Sequence, residues 1–73
     1  MTRNEIYEKL QYGDYQLLAK KTGRNHQTVR SQLTGRRTLK NDVRDAAIEL
    51  ITLREKLKAE FRNLKQIDSN TSD

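Results

Sequence analysis

Residues 14–39 read DYQLLAKKTGRNHQTVRSQLTGRRTL, and the spacing of three small or aliphatic residues within them predicts the fold. In a helix-turn-helix, a small residue lets the two helices cross closely, and a residue that tolerates positive φ makes the turn four positions later. An aliphatic residue six positions further on points from the second helix back at the first. Ala19, Gly23 and Val29 occupy these three positions, so we expect a helix-turn-helix here.

Capping residues set the expected ends of the two helices. Asp14 is a suitable N-cap for the first helix, which we expect to end near Thr22. Asn25 can cap the second helix, which Gly35 ends. The second helix of the motif is therefore predicted to cover about residues 25–34.

A short helix is expected before this motif and a loop after it. Ile6 and Leu10 lie four residues apart among charged residues, which indicates an amphipathic helix over about 4–12. Residues 36–40 have the character of a loop, and their single apolar member, Leu39, is expected to insert into the core.

A long helix is predicted from about Asn41 to Ile67, with apolar residues at heptad spacing. Its first half can cover the small core with Val43, Ala47, Leu50 and Ile51. Its second half reaches beyond a core of this size, so its apolar side chains need another surface. We therefore expect a dimeric coiled coil with a second copy through Leu53, Leu57, Phe61 and Leu64. The alternative is a monomer in which the helix bends back or ends early.

The expected fold class is all-α, a small helix-turn-helix bundle of three short helices plus a long C-terminal helix. The corresponding organisation is a helix-turn-helix domain over residues 1–50 and a dimerisation extension over 51–67. Residues 68–73 are small and polar, which predicts a disordered tail.

Charge is distributed unevenly along the chain, whose net charge is +5. Residues 1–40 hold nine Lys and Arg against three Asp and Glu, whereas residues 41–73 hold six against seven. No acidic residue occurs from Tyr15 to Asn41. A one-signed field of this length favours a polyanionic partner, with a solvated basic surface as the alternative.

The sequence HQTV of His26–Val29 and the TGRRTL of residues 34–39 carry a family resemblance. This stretch resembles the lambda-repressor-like DNA-binding domains, which include phage Cro and repressor proteins and the headpieces of the lactose-repressor family. The resemblance covers about residues 14–50 and implies that the second helix binds in the DNA major groove. Three positions depart from the usual pattern, because apolar residues are common where this chain has Thr22, Arg24 and Gln32.

The exposed face of the second helix carries the residues that we expect to contact DNA bases. Gln can bond an adenine edge and Arg a guanine edge in bidentate fashion, so Gln27 and Arg30 are the leading candidates. The resemblance places His26 and Gln27 at the two main base-reading positions of the family. The full set of base-contacting candidates is His26, Gln27, Arg30, Ser31 and Thr34. For each of them the alternative is an exposed polar side chain with no ligand.

Phosphate contacts are expected from residues around that helix. The loop over residues 36–40, which we call the exit loop, contains Arg36 and Arg37. The resemblance implies that this loop runs beside the DNA backbone. The backbone amides near Gln16, at the start of the first helix, can also face a phosphate. The full set of phosphate-contacting candidates is Gln16, Arg24, Thr28, Arg36, Arg37 and Lys40. Lys20 and Lys21 are expected to face solvent.

These observations favour a sequence-specific transcriptional regulator that binds a two-fold related site in double-stranded DNA as a homodimer. One small module reads only a few base pairs, so useful specificity needs two half-sites. One alternative is an accessory recombination or excision factor with the same DNA contacts. Another is an antitoxin-like or adaptor protein whose long helix docks a different partner.

Other functional classes find little support in the sequence. The chain has no cysteine and one histidine, which argues against disulfides and a zinc finger. The sequence shows no evident nucleophile–base pair and no glycine-rich phosphate loop, so nothing in it indicates an enzyme. We also expect no metal, cofactor or small-molecule ligand. No apolar run approaches the roughly 20 residues that span a bilayer, and no signal peptide is evident, so we expect a cytoplasmic, nucleoid-associated protein.

Overall fold

The computed structural model describes the backbone of residues 1–71 and the side chains of residues 1–62, and this part of the chain is helical with no strand. It contains four helices. These are α1 (Arg3–Lys9), α2 (Asp14–Thr22), α3 (His26–Thr34) and α4 (Asn41–Thr71). The prediction of an all-α fold with three short helices and one long C-terminal helix is confirmed.

Helix α1 is shorter than predicted. It begins after Thr2, whose side-chain oxygen accepts a hydrogen bond from the backbone N–H of Glu5 and so caps the helix. It ends at Lys9 because Leu10 has an extended backbone, with φ −84° and ψ 145°. The expected continuation to Tyr12 was therefore wrong.

The turn between α2 and α3 has the predicted form. Gly23 has a φ of 69°, in the left-handed region that a residue with a Cβ rarely adopts, and it ends α2 as expected. The Asn25 side chain accepts a hydrogen bond of 2.7 Å from the backbone N–H of Gln27, which confirms it as the N-cap of α3. Gly35, with a φ of 92°, ends α3 in the same way.

The N-terminus of α2 differs from the prediction, because Asp14 is its first helical residue and not its N-cap. The Asp14 carboxylate reaches back and accepts a hydrogen bond of 2.7 Å from the backbone N–H of Gln11. It also accepts two hydrogen bonds, of 2.6 and 2.8 Å, from the Arg54 guanidinium. Asp14 therefore ties the α1–α2 turn and the start of α2 to the middle of α4.

The core lies where α3 packs against α1 and α2, and where α4 packs against the same two helices. Val29 and Leu33 face inward from α3 as predicted, and Leu39 packs half-buried against the core. The buried apolar set is Ile6, Tyr15, Leu18, Val29, Leu33, Val43, Ala46, Ala47 and Ile51. The inward side of α3 is thus buried in the core, and its opposite side faces outward.

The long helix passes from a buried to an exposed apolar face along its length. Val43, Ala47 and Ile51 are buried, as the sequence predicted for the first half, and Leu50 packs half-buried against the same core. Leu53, Leu57 and Phe61 are 54%, 45% and 62% exposed, so the core leaves much of their surface uncovered. Helix α4 runs to Thr71, past the expected end at Ile67. The side chain of Leu64 lies outside the described residues, so its place in an interface stays a prediction. Of the predicted disordered tail over 68–73, residues 68–71 continue α4 and residues 72–73 lie outside the described residues.

No helix within the described residues is long and apolar enough to cross a membrane.

Candidate nucleic-acid interface

The exposed side of α3 forms a shallow concavity of about 410 Å³. We call it the α3 concavity, and its lining residues are Gln27, Arg30, Ser31, Thr34 and Arg36. Residues three and four positions apart share one helix face, which is why the first four lie together. All five residues are among the candidates for DNA contact that the sequence indicated, and every charged member is a cation.

The backbone at the end of α3 shapes this concavity. The Ser31 carbonyl accepts hydrogen bonds from the N–H groups of Gly35, Arg36 and Arg37. The Thr34 hydroxyl donates to the Arg30 carbonyl at 2.9 Å, so this hydroxyl is already engaged within the helix. The chain consequently folds back on α3 as it leaves the helix, and Arg36 comes to line the concavity from the loop.

His26 has a structural contact that the sequence did not suggest. Its ring packs edge-to-face against Tyr15, with ring centroids 6.1 Å apart and an interplanar angle of 87°. His26 is half-buried as a result, and the contact fixes the first turn of α3 to the first turn of α2. Gln27, the next residue, is exposed and remains the leading candidate for base contact.

Arg24 has a protein partner that the sequence analysis missed. Its guanidinium donates two hydrogen bonds, of 2.7 and 3.0 Å, to the carboxylate of Asp42 at the start of α4. The Arg24 hydrogen bond lowers the pKa of Asp42 below its usual value, and the same bond raises the pKa of Arg24. Because its charge is balanced within the protein, Arg24 is a weaker candidate for phosphate than Arg36 or Arg37.

The exit loop is held by a buried amide. Gln32 is 3% exposed, and its side-chain oxygen accepts a hydrogen bond of 3.0 Å from the backbone N–H of Lys40. The amide therefore anchors the end of the loop, which explains a polar side chain at a buried position. The Lys40 side chain remains exposed, as does that of Arg37 in the same loop.

The remaining phosphate candidates lie on α2 and α3. Gln16 is exposed on the first turn of α2, and Thr28 is half-buried on the first turn of α3. Lys20 and Lys21, expected to face solvent, are both exposed, and Lys21 pairs with Glu49 at 3.3 Å. The described side chains contain no group of three His, Asp or Glu residues positioned to hold a metal ion.

A second concavity, of about 370 Å³, lies between α1, the α1–α2 turn and α3. We call it the tyrosine concavity, and it is lined by Tyr7, Glu8, Leu10, Gln11, Tyr12, Tyr15 and Arg30. Burial raises the pKa of Tyr15, which also belongs to the core. Sequence reasoning missed this site, although a tyrosine directly before Gly13 in a turn was a signal that could have indicated it.

No protein-family model, curated protein or solved structure matches the chain.

Proposed function

We propose that this chain is a sequence-specific DNA-binding protein that inserts α3 into the major groove and acts as a transcriptional regulator. The observation that carries the proposal is the α3 concavity, where an exposed amide and two arginines converge on one helix face. Gln27 and Arg30 would bond base edges, and Ser31 and Thr34 lie beside them on the same face. A DNA ligand would place the protein in the cytoplasm, on the nucleoid.

Electrostatics around the α3 concavity support a polyanionic ligand. The 27 residues from Tyr15 to Asn41 contain no acid, and the first acid after them, Asp42, is paired with Arg24. Arg36, Arg37 and Lys40 would neutralise phosphates beside the groove, and Gln16 would bond another from the start of α2. We assign His26 a smaller part in DNA contact, because its ring already packs against Tyr15.

Dimerisation is the second part of the proposal. Leu53 and Leu57 lie four residues apart on α4 and Phe61 follows after four more, so they form one exposed apolar face. An apolar face of this kind on a soluble helix is stabilised when it packs against a second copy. A homodimer would also supply the two half-sites that a small reading module needs.

The experiment that tests the proposal is in vitro selection from random duplex DNA, performed with the full chain. We expect enrichment of a palindrome whose half-site spacing reports the dimer geometry. Arg30→Ala should lose the enriched motif, because it removes a base contact. Lys20→Ala is the matched control, since it removes the same charge from an exposed residue of α2 and should select the same palindrome.

A second candidate function is favoured by the exposed apolar face of α4. In an adaptor or antitoxin-like protein this face would dock a different polypeptide, and DNA binding would be secondary. Selection without an enriched motif, together with a monomeric mass in solution, would favour this candidate. An enriched site whose binding bends the duplex would instead indicate the architectural role of a recombination factor.

A further inference from the structure

The tyrosine concavity adjoins the α3 concavity at one shared residue. Arg30 lines both, so a ligand that contacts Arg30 in one lies next to the other. All three tyrosines of the chain gather at this second site, and only Phe61 among the four aromatic residues lies elsewhere. Such a concentration of aromatic side chains beside the proposed reading helix requires an explanation.

Packing of the core explains one tyrosine but not the other two. Tyr15 is 8% exposed and belongs to the core. Tyr12 is 81% exposed in the α1–α2 turn, and Tyr7 is 43% exposed on α1. A large aromatic side chain held this far in solvent adds little to folding, since the stabilisation by burial scales with the apolar area removed from water. Tyr12 is therefore available to a ligand.

The position of Tyr12 relates it to the proposed DNA contact. It lies directly before Gly13 and α2, and the Tyr15–His26 contact fixes the first turn of α2 to the first turn of α3. The sugar–phosphate strands border the groove that a recognition helix enters, so residues beside such a helix meet the backbone and not the base edges. The tyrosine concavity is in this neighbouring position.

The chemistry of the site fits one segment of sugar–phosphate backbone. A phenol ring packs against the apolar face of a deoxyribose, while its hydroxyl donates to a phosphate oxygen, and Arg30 adds a positive charge. Among the described side chains, Glu8 is the single acid that lines the concavity, and its carboxylate opposes a phosphate there. The site therefore combines attractive groups on α1, the α1–α2 turn and α3 with one repulsive group on α1.

We propose that the tyrosine concavity is a second DNA-contact site, in which Tyr12 and Tyr7 bind the sugar–phosphate backbone that flanks the bases contacted by α3. This inference rests on the proposed function and extends it, because it assigns a contact to α1 and the α1–α2 turn. The contact is sequence-independent, so it adds affinity to all duplex DNA and leaves the preference for one site unchanged.

The test measures binding of the full chain to its selected duplex and to a duplex of unrelated sequence, together with phosphate-ethylation interference. Tyr12→Ala should weaken binding to both duplexes by about tenfold, the loss expected for one hydrogen-bonded backbone contact. Tyr12→Phe keeps the ring and should lose less. At least one phosphate whose ethylation blocks the wild-type chain should no longer affect Tyr12→Ala.

A matched pair of charge variants sharpens the test. Glu8→Gln removes the opposing carboxylate and should strengthen binding severalfold. Asp45→Asn removes the same charge from an exposed position on α4 outside both concavities and should change affinity less. Equal effects of the two variants would contradict a local contact at the tyrosine concavity.

The outcomes separate this inference from the proposed function. If the wild-type chain selects a motif and Arg30→Ala loses it, but Tyr12→Ala binds like wild type with an unchanged ethylation pattern, only the second contact site is refuted. If the wild-type chain binds no duplex at low salt, the proposed function is refuted together with it. Circular dichroism of Tyr12→Ala should match wild type, because the side chain is outside the core.

Discussion

The two halves of α4 carry the same spacing of apolar residues but have different surroundings. In the first half, Val43 is fully buried and Ile51 is 2% exposed, because α1, α2 and α3 cover them. In the second half, Leu57 at 45% and Phe61 at 62% exposed are left largely uncovered by the described residues. Arg54 lies at the boundary, where its ion pair with Asp14 is the last hydrogen-bonded contact of α4 with α2 among the described side chains.

This difference shows that apolar residues at heptad spacing predict a helix face that has to be buried. The spacing does not predict which surface covers that face. The first half satisfies the need within the domain, since three short helices can cover about four turns of α4. The second half leaves it unsatisfied within one chain, which motivates the proposed dimer. Variants that distinguish the two halves therefore test whether one half serves folding and the other association.

The largest effect is expected from Ile51→Ala in the buried half. Removing most of a buried isoleucine side chain should lower the free energy of unfolding by about 2–5 kcal/mol, measured by urea denaturation. The exposed neighbour Thr52→Ala is the matched control and should change it by less than about 0.5 kcal/mol. Equal effects of the two variants would contradict the assignment of the first half to the core.

The ion pair at the boundary should have the next largest effect. Asp14 is 3% exposed, while the Arg54 side chain keeps 24% of its surface in solvent. We expect Asp14→Ala to cost about 2 kcal/mol, less than the 3–5 kcal/mol of a fully buried pair, because solvent screens the charge left behind. In a double-mutant cycle, the variant lacking both side chains should cost less than the sum of the single changes. Strict additivity would show that the two groups do not interact.

The exposed half should respond in association and not in folding. Leu57→Ala should raise the dimer dissociation constant by about tenfold, since it removes apolar area from the proposed interface. Sedimentation equilibrium measures this, with Lys58→Ala on the same turn as the control. Alanine favours a helix, so loss of helix cannot explain a change. A wild-type chain that is monomeric at every concentration would refute the dimer.

A smaller effect is expected from acid. The Arg54 hydrogen bond lowers the pKa of Asp14 below its usual 3.8 in the folded chain. The stabilisation from this carboxylate is therefore complete above pH 3.8 and is lost as the pH falls through the lower folded value. The stability difference between wild type and Asp14→Asn should shrink over this window when unfolding is measured from pH 5 to pH 2. A difference that stays constant would contradict the pKa shift.

Local signals in the sequence predicted most of the fold. Gly23 and Gly35 end their helices because the backbone there needs positive φ, and Asn25 caps α3 because its short side chain reaches an amide two residues on. The α3 face followed from helical spacing, once Val29 and Leu33 were assigned to the core. All these features depend on residues close together in the chain.

The features that sequence reasoning missed depend on distant partners. Asp14 looks like an N-cap until its pairing with Arg54, 40 residues away, is known. From the sequence alone, Arg24 is a candidate for phosphate contact, but in the structure it pairs with Asp42. The polar Gln32 is unexpected in a core position until its hydrogen bond with the Lys40 N–H is known. The tyrosine concavity likewise forms only when α1 packs beside α3. Spacing along the chain carries no information about such encounters.

The measurement that tests the central claim most directly is the specificity ratio of the full chain. This ratio compares affinity for the selected duplex with affinity for a duplex of unrelated sequence, each titrated at two salt concentrations. The account predicts that Gln27→Ala lowers the ratio roughly fivefold to more than a hundredfold, which corresponds to a loss of about 1–3 kcal/mol of base discrimination. Lys20→Ala should leave the ratio unchanged. A ratio near one for the wild-type chain, with binding that fades steeply in salt, would contradict base reading by α3 and leave only backbone contact.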